Sequence, residues 1–211
     1  MATEVKPQAE LLDYLGDSEL NVATSARLTH SDKSPEEIKG DMSEETKERM
    51  VKYMIELGHD STLENSFFYF KIRCSRVASH QLVRHRIGVS VAQRSQRYVE
   101  EDDFEFIVPP TIKGNKAEYE MFIDHMEYSR NLYQHYRSVG IPKEDARFIL
   151  PQIATYLTVG FNARALRHFL KLRLDKTAQW EIRQLAEQML KQVKEVTPNL
   201  FHDLELQEEN N

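Results

Sequence analysis

Apolar residues recur every three to four positions along much of the chain, a spacing that predicts helices. LNVATSARL gives one over Ser18–Leu28. MSEETKERMVKYMIELGHD gives another: Ser43 is placed to cap it, Glu44 and Glu45 fall in its first turn, Met50, Met54 and Leu57 form its stripe, and Gly58 closes it. SRVASHQLVRHR reads as a helix partly covered through Val77, Leu82 and Val83. A long helix is expected from Lys116 to Val139, with Tyr119, Phe122, Met126 and Leu132 in register and Gly140 as its stop. IPKEDARFILP predicts a short helix, since Pro142 is tolerated in a first turn. ARALRHFLKLRL and TAQWEIRQLAEQMLKQVKEV are both amphipathic, with Trp180 expected in the core beside Ile182 and Leu185. Aromatic and β-branched runs predict strands at SFFYFKIR, residues 66–73, and ATYLTVGF. RSQRYV and FEFIVPP read as extended, the second ended by Pro109-Pro110. HSDKSPEE reads as a polar connector turning at Ser34-Pro35, and residues 1–15 and 204–211 as flexible ends. The pattern predicts an α+β fold: one mostly helical domain over residues 1–211 with a small central antiparallel or mixed sheet.

Composition narrows the class. With 211 residues, 40% hydrophobic and 29% charged, the chain suits an ordinary globular domain. No apolar run is long enough to span a bilayer, and the N-terminal stretch lacks the basic-then-apolar order of a secretion signal. A cytoplasmic protein is expected. The single Cys74 excludes an internal disulfide and a cysteine-built zinc site. Within SFFYFKIRCS it reads as a small buried hydrophobe, inert unless activated. The net charge of −6 is not that of a general nucleic-acid binder. Positive charge is local instead: Arg73, Arg76, Arg84, Arg86, Arg94 and Arg97 crowd one segment, which suits a small anionic ligand.

Three stretches carry candidate chemistry. In RHRIGVSVAQRSQRYV, two guanidiniums flank an imidazole and Gln93, Arg94, Ser95, Gln96 and Arg97 follow closely. Arginine pairs with phosphate through a fixed fork, and Ser and Gln can fix a ring edge. The same residues also suit a solvated basic face bridged to carboxylates. In FNARALRHFLKLRLDKTAQWEI, Asn162 is placed to cap a helix whose polar faces carry Arg164, Arg167, His168 and Lys171. Arg173 near its end either acts on a ligand or complements the helix dipole. GHDSTLENS sets His59, Ser61, Glu64 and Asn65 on a loop, where both function and plain loop chemistry are at home. His80 and His85 are five apart, on different helix faces, and no HExxH occurs, so a metal site is not expected. Neither GxGxxG, P-loop nor GxSxG is present, so a nucleotide would be held mainly by side chains.

Together these stretches resemble the flavin-dependent thymidylate synthases. Their hallmark is Arg-His-Arg, seven residues, then Ser; here Arg84-His85-Arg86 precedes Ser95-Gln96-Arg97-Tyr98 with a spacer of eight. GHDSTLEN, DARFILP and NARALRHFLKLRLDKTAQWEI are similar to three further family elements in the same order. The resemblance covers roughly residues 15–200 and implies reductive methylation of dUMP to dTMP. The implied carbon donor is 5,10-methylenetetrahydrofolate, with FAD carrying hydride from NADPH in a homotetramer that shares its active sites.

By the same resemblance, Ser61, Arg84, His85, Arg86, Gln93, Asn162, Arg164 and His168 would touch FAD. Gln81, Arg84, Gln93, Arg94, Ser95, Gln96, Arg97 and Arg147 would hold dUMP, with Arg97 on its phosphate. Arg173 would meet the pyrimidine edge and activate it without a cysteine nucleophile. Departures fall at Gln93, where the family usually has Glu, at His168, where many members have Asn, and at Thr177, where many have His. The added spacer residue, around Gly88-Val89, is expected to bulge the loop or re-aim Gln93. Two other readings remain beside this one: a nucleotide enzyme using flavin without folate, and a non-catalytic nucleotide or RNA binder using the basic loop.

Overall fold

The computed structural model describes residues 1–206. Where a flexible start is expected it has two strands, β1 (Thr3–Glu4) and β2 (Gln8–Tyr14). Three helices follow: α1 (Ser18–Leu28), α2 (Pro35–Gly40) and α3 (Glu44–Glu56). Next come β3 (Phe67–Ser75), α4 (Arg76–Leu82), β4 (Val89–Gln93), β5 (Glu105–Phe106), α5 (Pro110–Lys113), α6 (Lys116–Ser138) and α7 (Lys143–Ala146). The last elements are β6 (Ala154–Asn162), α8 (Ala163–Arg173) and α9 (Trp180–Val196). The fold is the mostly helical α+β arrangement expected. The tail expected to be flexible lies, for residues 207–211, outside the described residues. Among the described residues no helix is long and apolar enough to cross a membrane.

One sheet has the order β2-β3-β6-β4, and β1 and β5 form a separate parallel pair. Hydrogen bonds at the strand ends give the larger sheet its sense. Arg76 N–H donates to Ile153 and Ala163 N–H to Ser66, so β3 and β6 run antiparallel. Asn162 N–H donates to Gly88 and Arg94 N–H to Tyr156, so β4 and β6 do too. β3 buries Phe68, Phe70, Ile72 and Cys74 in strict alternation, the signature of a strand with one covered face.

The chain weaves between two compact units. The first comprises Met1–Gln8, Ile72–Leu82 and Ala92–Leu157, the second Ala9–Lys71, Val83–Val91 and the chain from Thr158 onward. In the first, Phe104, Phe106, Val108, Met126 and Ile153 form a core that α6 covers through Phe122 and Ile123. In the second, Phe70 meets Phe161 edge-on at 6.4 Å, and Phe161 meets Phe169 at 5.5 Å. The outer edge of β2 is closed by α9: Gln188 and Gln192 accept from the Ala9 and Leu11 N–H groups, and Gln192 donates to the Ala9 carbonyl.

Several expectations are corrected. Ser34-Pro35 does not make a simple turn; Ser34 caps α2 in a reciprocal box with Glu37. α3 turns Lys47 and Val51 inward rather than the Met50, Met54 and Leu57 stripe, and Leu57 is exposed. α4 stops at Leu82, ahead of the turn through Gly88 that enters β4; Leu82 and Val83 are covered as expected, but Val77 is exposed. RSQRYV is a turn, not extended: Tyr98 and Val99 N–H both donate to the Ser95 carbonyl. Trp180 opens α9 only half-buried, while Glu181 beside it is buried. Arg167, expected on a polar face, is buried and grips both oxygens of Asp203 at 2.7 Å. Burial opposes ionisation of Asp203, yet that fork holds its carboxyl below the usual range.

Candidate functional site

The second unit carries the Arg84–Arg86 loop and α8. Asn162 caps α8 through its side chain, which accepts from Ala165 N–H at 2.8 Å. The same side chain packs on Gly88, where an added Cβ would lie 2.5 Å from it; Gly88 also has φ +69°. Only glycine meets both demands. The equal advance of β4 and β6 between the Gly88–Asn162 and Arg94–Tyr156 bonds leaves no bulge in the strand. The longer spacer is therefore taken up as a turn followed by a regular β4.

His85 is half-buried between side chains of α8. Its ring meets Phe169 edge-on at 5.0 Å and His168 at 6.2 Å. Its Nε2 accepts from Arg173 Nε at 3.2 Å. Burial first, then the Arg173 charge and His168, push its pKa down to about 4. The imidazole is thus neutral near pH 7 and can accept. Arg84 and Arg86 flank it, both exposed.

A cleft of about 600 Å³ lies at the start of α8, lined by Asp60, Glu64, Ile87, Asn162, Arg164, Ala165, Arg167, His168 and Lys171. It gathers three residues of the expected flavin set: Asn162, Arg164 and His168. Arg164 Nη1 donates to Glu64 at 2.7 Å, and its Nε lies 3.8 Å from Asp60. With Arg164 released from Glu64 and Asp60, the cleft's cations, imidazole and side-chain amide suit an anionic group joined to a flat ring. Ser61 lines a different cleft, of about 560 Å³, with Arg27, His30, Tyr53 and His59. Sequence reasoning left out Ile87 and Asp60. Ile87 is 90% exposed, and an apolar residue straight after Arg86 was the available signal.

The first unit carries the other basic group. Gln93 Nε2 donates to Ser79 of α4 at 3.2 Å and to Thr155 of β6 at 3.4 Å, so it is tied to a helix and to the neighbouring strand. Ser95 Oγ accepts from Arg97 N–H, and Gln96 is buried. Arg97 Nε donates to the Glu144 carboxylate and Arg147 Nε to the Glu144 carbonyl, both at 3.1 Å. Two expected dUMP ligands thus converge on one residue, which sequence reasoning missed although it lies one helical turn before Arg147. Arg94 lies 3.8 Å from buried Glu101. Burial pushes Glu101 up, eased by Arg94 and Arg76, and it lowers Arg76, whose buried Nη1 has no hydrogen-bond partner among the described residues. Gln81 sits, half-buried, at the end of α4.

Residues 10–199 match the model of the thymidylate synthase complementing protein family. The chain belongs to this family. The matched span includes every site residue named from the sequence, from Ser61 to Arg173. Among its relatives, a flavin-dependent thymidylate synthase of Geobacter sulfurreducens is 42% identical, over 92% of this chain and 84% of its own. Another, from Clostridium tetani, is 39% identical over 92% and 85%. A solved structure of the UMP/dUMP methylase PolB from Streptomyces cacaoi, bound with 5-Br dUMP, shares the fold at a TM-score of 0.83. That likeness covers 96% of this chain and 97% of PolB at 24% identity.

Proposed function

We propose that this chain is a flavin-dependent thymidylate synthase. It methylates carbon 5 of dUMP with the one-carbon unit of 5,10-methylenetetrahydrofolate. The observation that carries the reading is the bond from Arg173 to His85, which ties the α8 cation to the Arg84–Arg86 hallmark within one unit. The names of the relatives support it.

Carbon 5 of uracil is a weak nucleophile. A fixed cation beside O4 and N3 stabilises the electron-rich ring that must attack, which is the role of Arg173. No thiol adduct is then needed, in keeping with a fully buried Cys74. Gln81, Arg84, Gln93, Arg94, Ser95, Gln96, Arg97 and Arg147 hold dUMP, with Arg97 on its phosphate. Ser61, Arg84, His85, Arg86, Gln93, Asn162, Arg164 and His168 hold FAD; the donor set of the α8 cleft suits its charged linker and flat ring. FAD, when bound, supplies the hydride that completes the methyl group, at the expense of NADPH. We read the enzyme as a cytoplasmic homotetramer and the 211 residues as one domain.

The test is release of the C5 hydrogen from labelled dUMP, dependent on methylenetetrahydrofolate and NADPH. No release under reducing conditions would sink the reading. Arg173→Ala is expected to keep FAD bound and lose most turnover. Normal turnover in that variant would remove Arg173 from catalysis.

A further inference from the structure

Phe169 and Arg173 are one turn apart on α8 and share a face. His85 rests against both: edge-on to the Phe169 ring at 5.0 Å, and 3.2 Å from Arg173 Nε through its own Nε2. The His168 ring lies 6.2 Å away on the same helix. The imidazole is wedged between α8 side chains, so its Nε2 lone pair is aimed by packing and not by chance.

A guanidinium has five N–H donors. A bond at Nε uses one of them and fixes the plane of the group. The four on Nη1 and Nη2 then point along a set direction, as a fork for a planar partner such as a pyrimidine edge. The acceptor matters as much as the direction. A carboxylate at this place would hold Nε–H equally well but would cancel the positive charge. A neutral imidazole orients the group and leaves its full charge for the ligand. That requires a neutral ring, which burial, Arg173 and His168 favour, and the bond from Arg173 Nε–H to Nε2 then leaves the one proton on Nδ1. Arg173 and His168 are the titratable groups facing His85 from α8; Arg84 and Arg86 flank it on its own loop.

We infer that His85 is a positioning residue for Arg173: its bare Nε2 sets the plane of the guanidinium while leaving the charge undiminished for the pyrimidine. This rests on the role given to Arg173 above. It adds to the flavin contact proposed for His85 a second task, one that acts through another side chain.

The test compares His85→Asn with His85→Gln, each checked for flavin content and urea midpoint. The Gln amide oxygen can reach the place of Nε2; the Asn oxygen falls short of it. His85→Asn is expected to lower kcat about 100-fold, the scale of a misaimed catalytic group, with KM for dUMP within about threefold. His85→Gln is expected to keep at least about ten times the kcat of His85→Asn. In an Arg173→Lys background, which has no Nε–H to hold, His85→Asn is expected to cost less than about threefold. Equal kcat in the two variants, a loss carried by KM alone, or the full penalty in the Lys background would overturn the inference. If His85→Asn does not fold, the same cycle with His85→Gln reads the coupling, and additive losses overturn it. A wild-type enzyme that releases no C5 hydrogen would instead defeat the proposed function, so the two failures are distinguishable.

Discussion

His85 shows how far a single side chain can be read before its surroundings are known. The sequence places it between two arginines, which suggests a cation among cations. The structure makes it neutral, with a pKa of about 4 against 6.5 for a free imidazole. The sign of the consequence is definite. Above pH 6.5 the ring is neutral in both folded and unfolded chains and adds no pH dependence. Between 6.5 and about 4 the unfolded chain takes up a proton that the folded one refuses, so stability falls as pH falls. Glu101, whose carboxyl is pushed up by burial, works in the opposite direction, so total stability alone does not isolate His85. The expected result is a urea midpoint that drops less between pH 7 and 4.5 in His85→Gln than in the wild type. Equal drops would mean that His85 is not held neutral. Cys74 is a simpler case: it is fully buried in β3, as its apolar neighbours imply, and Cys74→Ala is expected to turn over normally. A folded but inactive variant would reopen covalent catalysis. Arg167 was not legible, because its partner Asp203 lies 36 positions away and nothing local distinguishes a buried arginine from a solvated one.

At the scale of elements, legibility followed periodicity. α1, α6, α8 and α9 are long enough for their spacing to show, and their observed bounds lie within a few residues of those expected. α2 was missed because Ser34-Pro35 is also a turn signal, although Glu37 three positions after Ser34 marks a capping box. β2 was missed because among its seven residues only Ala9 is buried; its backbone partners on one edge are side chains of α9. The spacer after Arg86 is the element where sequence and structure inform each other most. One residue longer than the family hallmark, it forms a turn at Gly88 and then a β4 without a bulge. Gly88→Ala is expected to cost at least about 1–2 kcal/mol, because it forces a left-handed conformation and drives a Cβ into Asn162. A urea midpoint unchanged from wild type would show that the turn differs from the one described. Because Asn162 also caps α8, strain introduced at Gly88 would reach the helix that carries His168 and Arg173.

For the molecule as a whole, the α+β class was legible from hydrophobic periodicity and the family from four short motifs in fixed order. Their positions relative to one another were not. Each of the two units draws on three separated stretches of chain, so no single cut yields either one intact. The motif residues are divided accordingly: Arg84–Arg86, Asn162 and Arg173 in the second unit, Ser95–Arg97 and Arg147 in the first. Spacing along the sequence could not show this, because the chain changes unit between Val91 and Ala92, in the middle of β4.

The two glutamines of α9 that close β2 also bear on how the protein behaves in concentrated solution. A bare strand edge invites a strand from another molecule, and the usual outcome is aggregation. Gln188 and Gln192 occupy the backbone groups that such a strand would use. The double variant Gln188→Ala, Gln192→Ala should therefore remain folded yet form light-scattering particles at protein concentrations where the wild type stays clear. If it stays equally clear, the glutamines serve only to dock the helix. They would otherwise be guards against fibre-like growth, set over a segment, β2, whose sequence gives no hint that it is a strand.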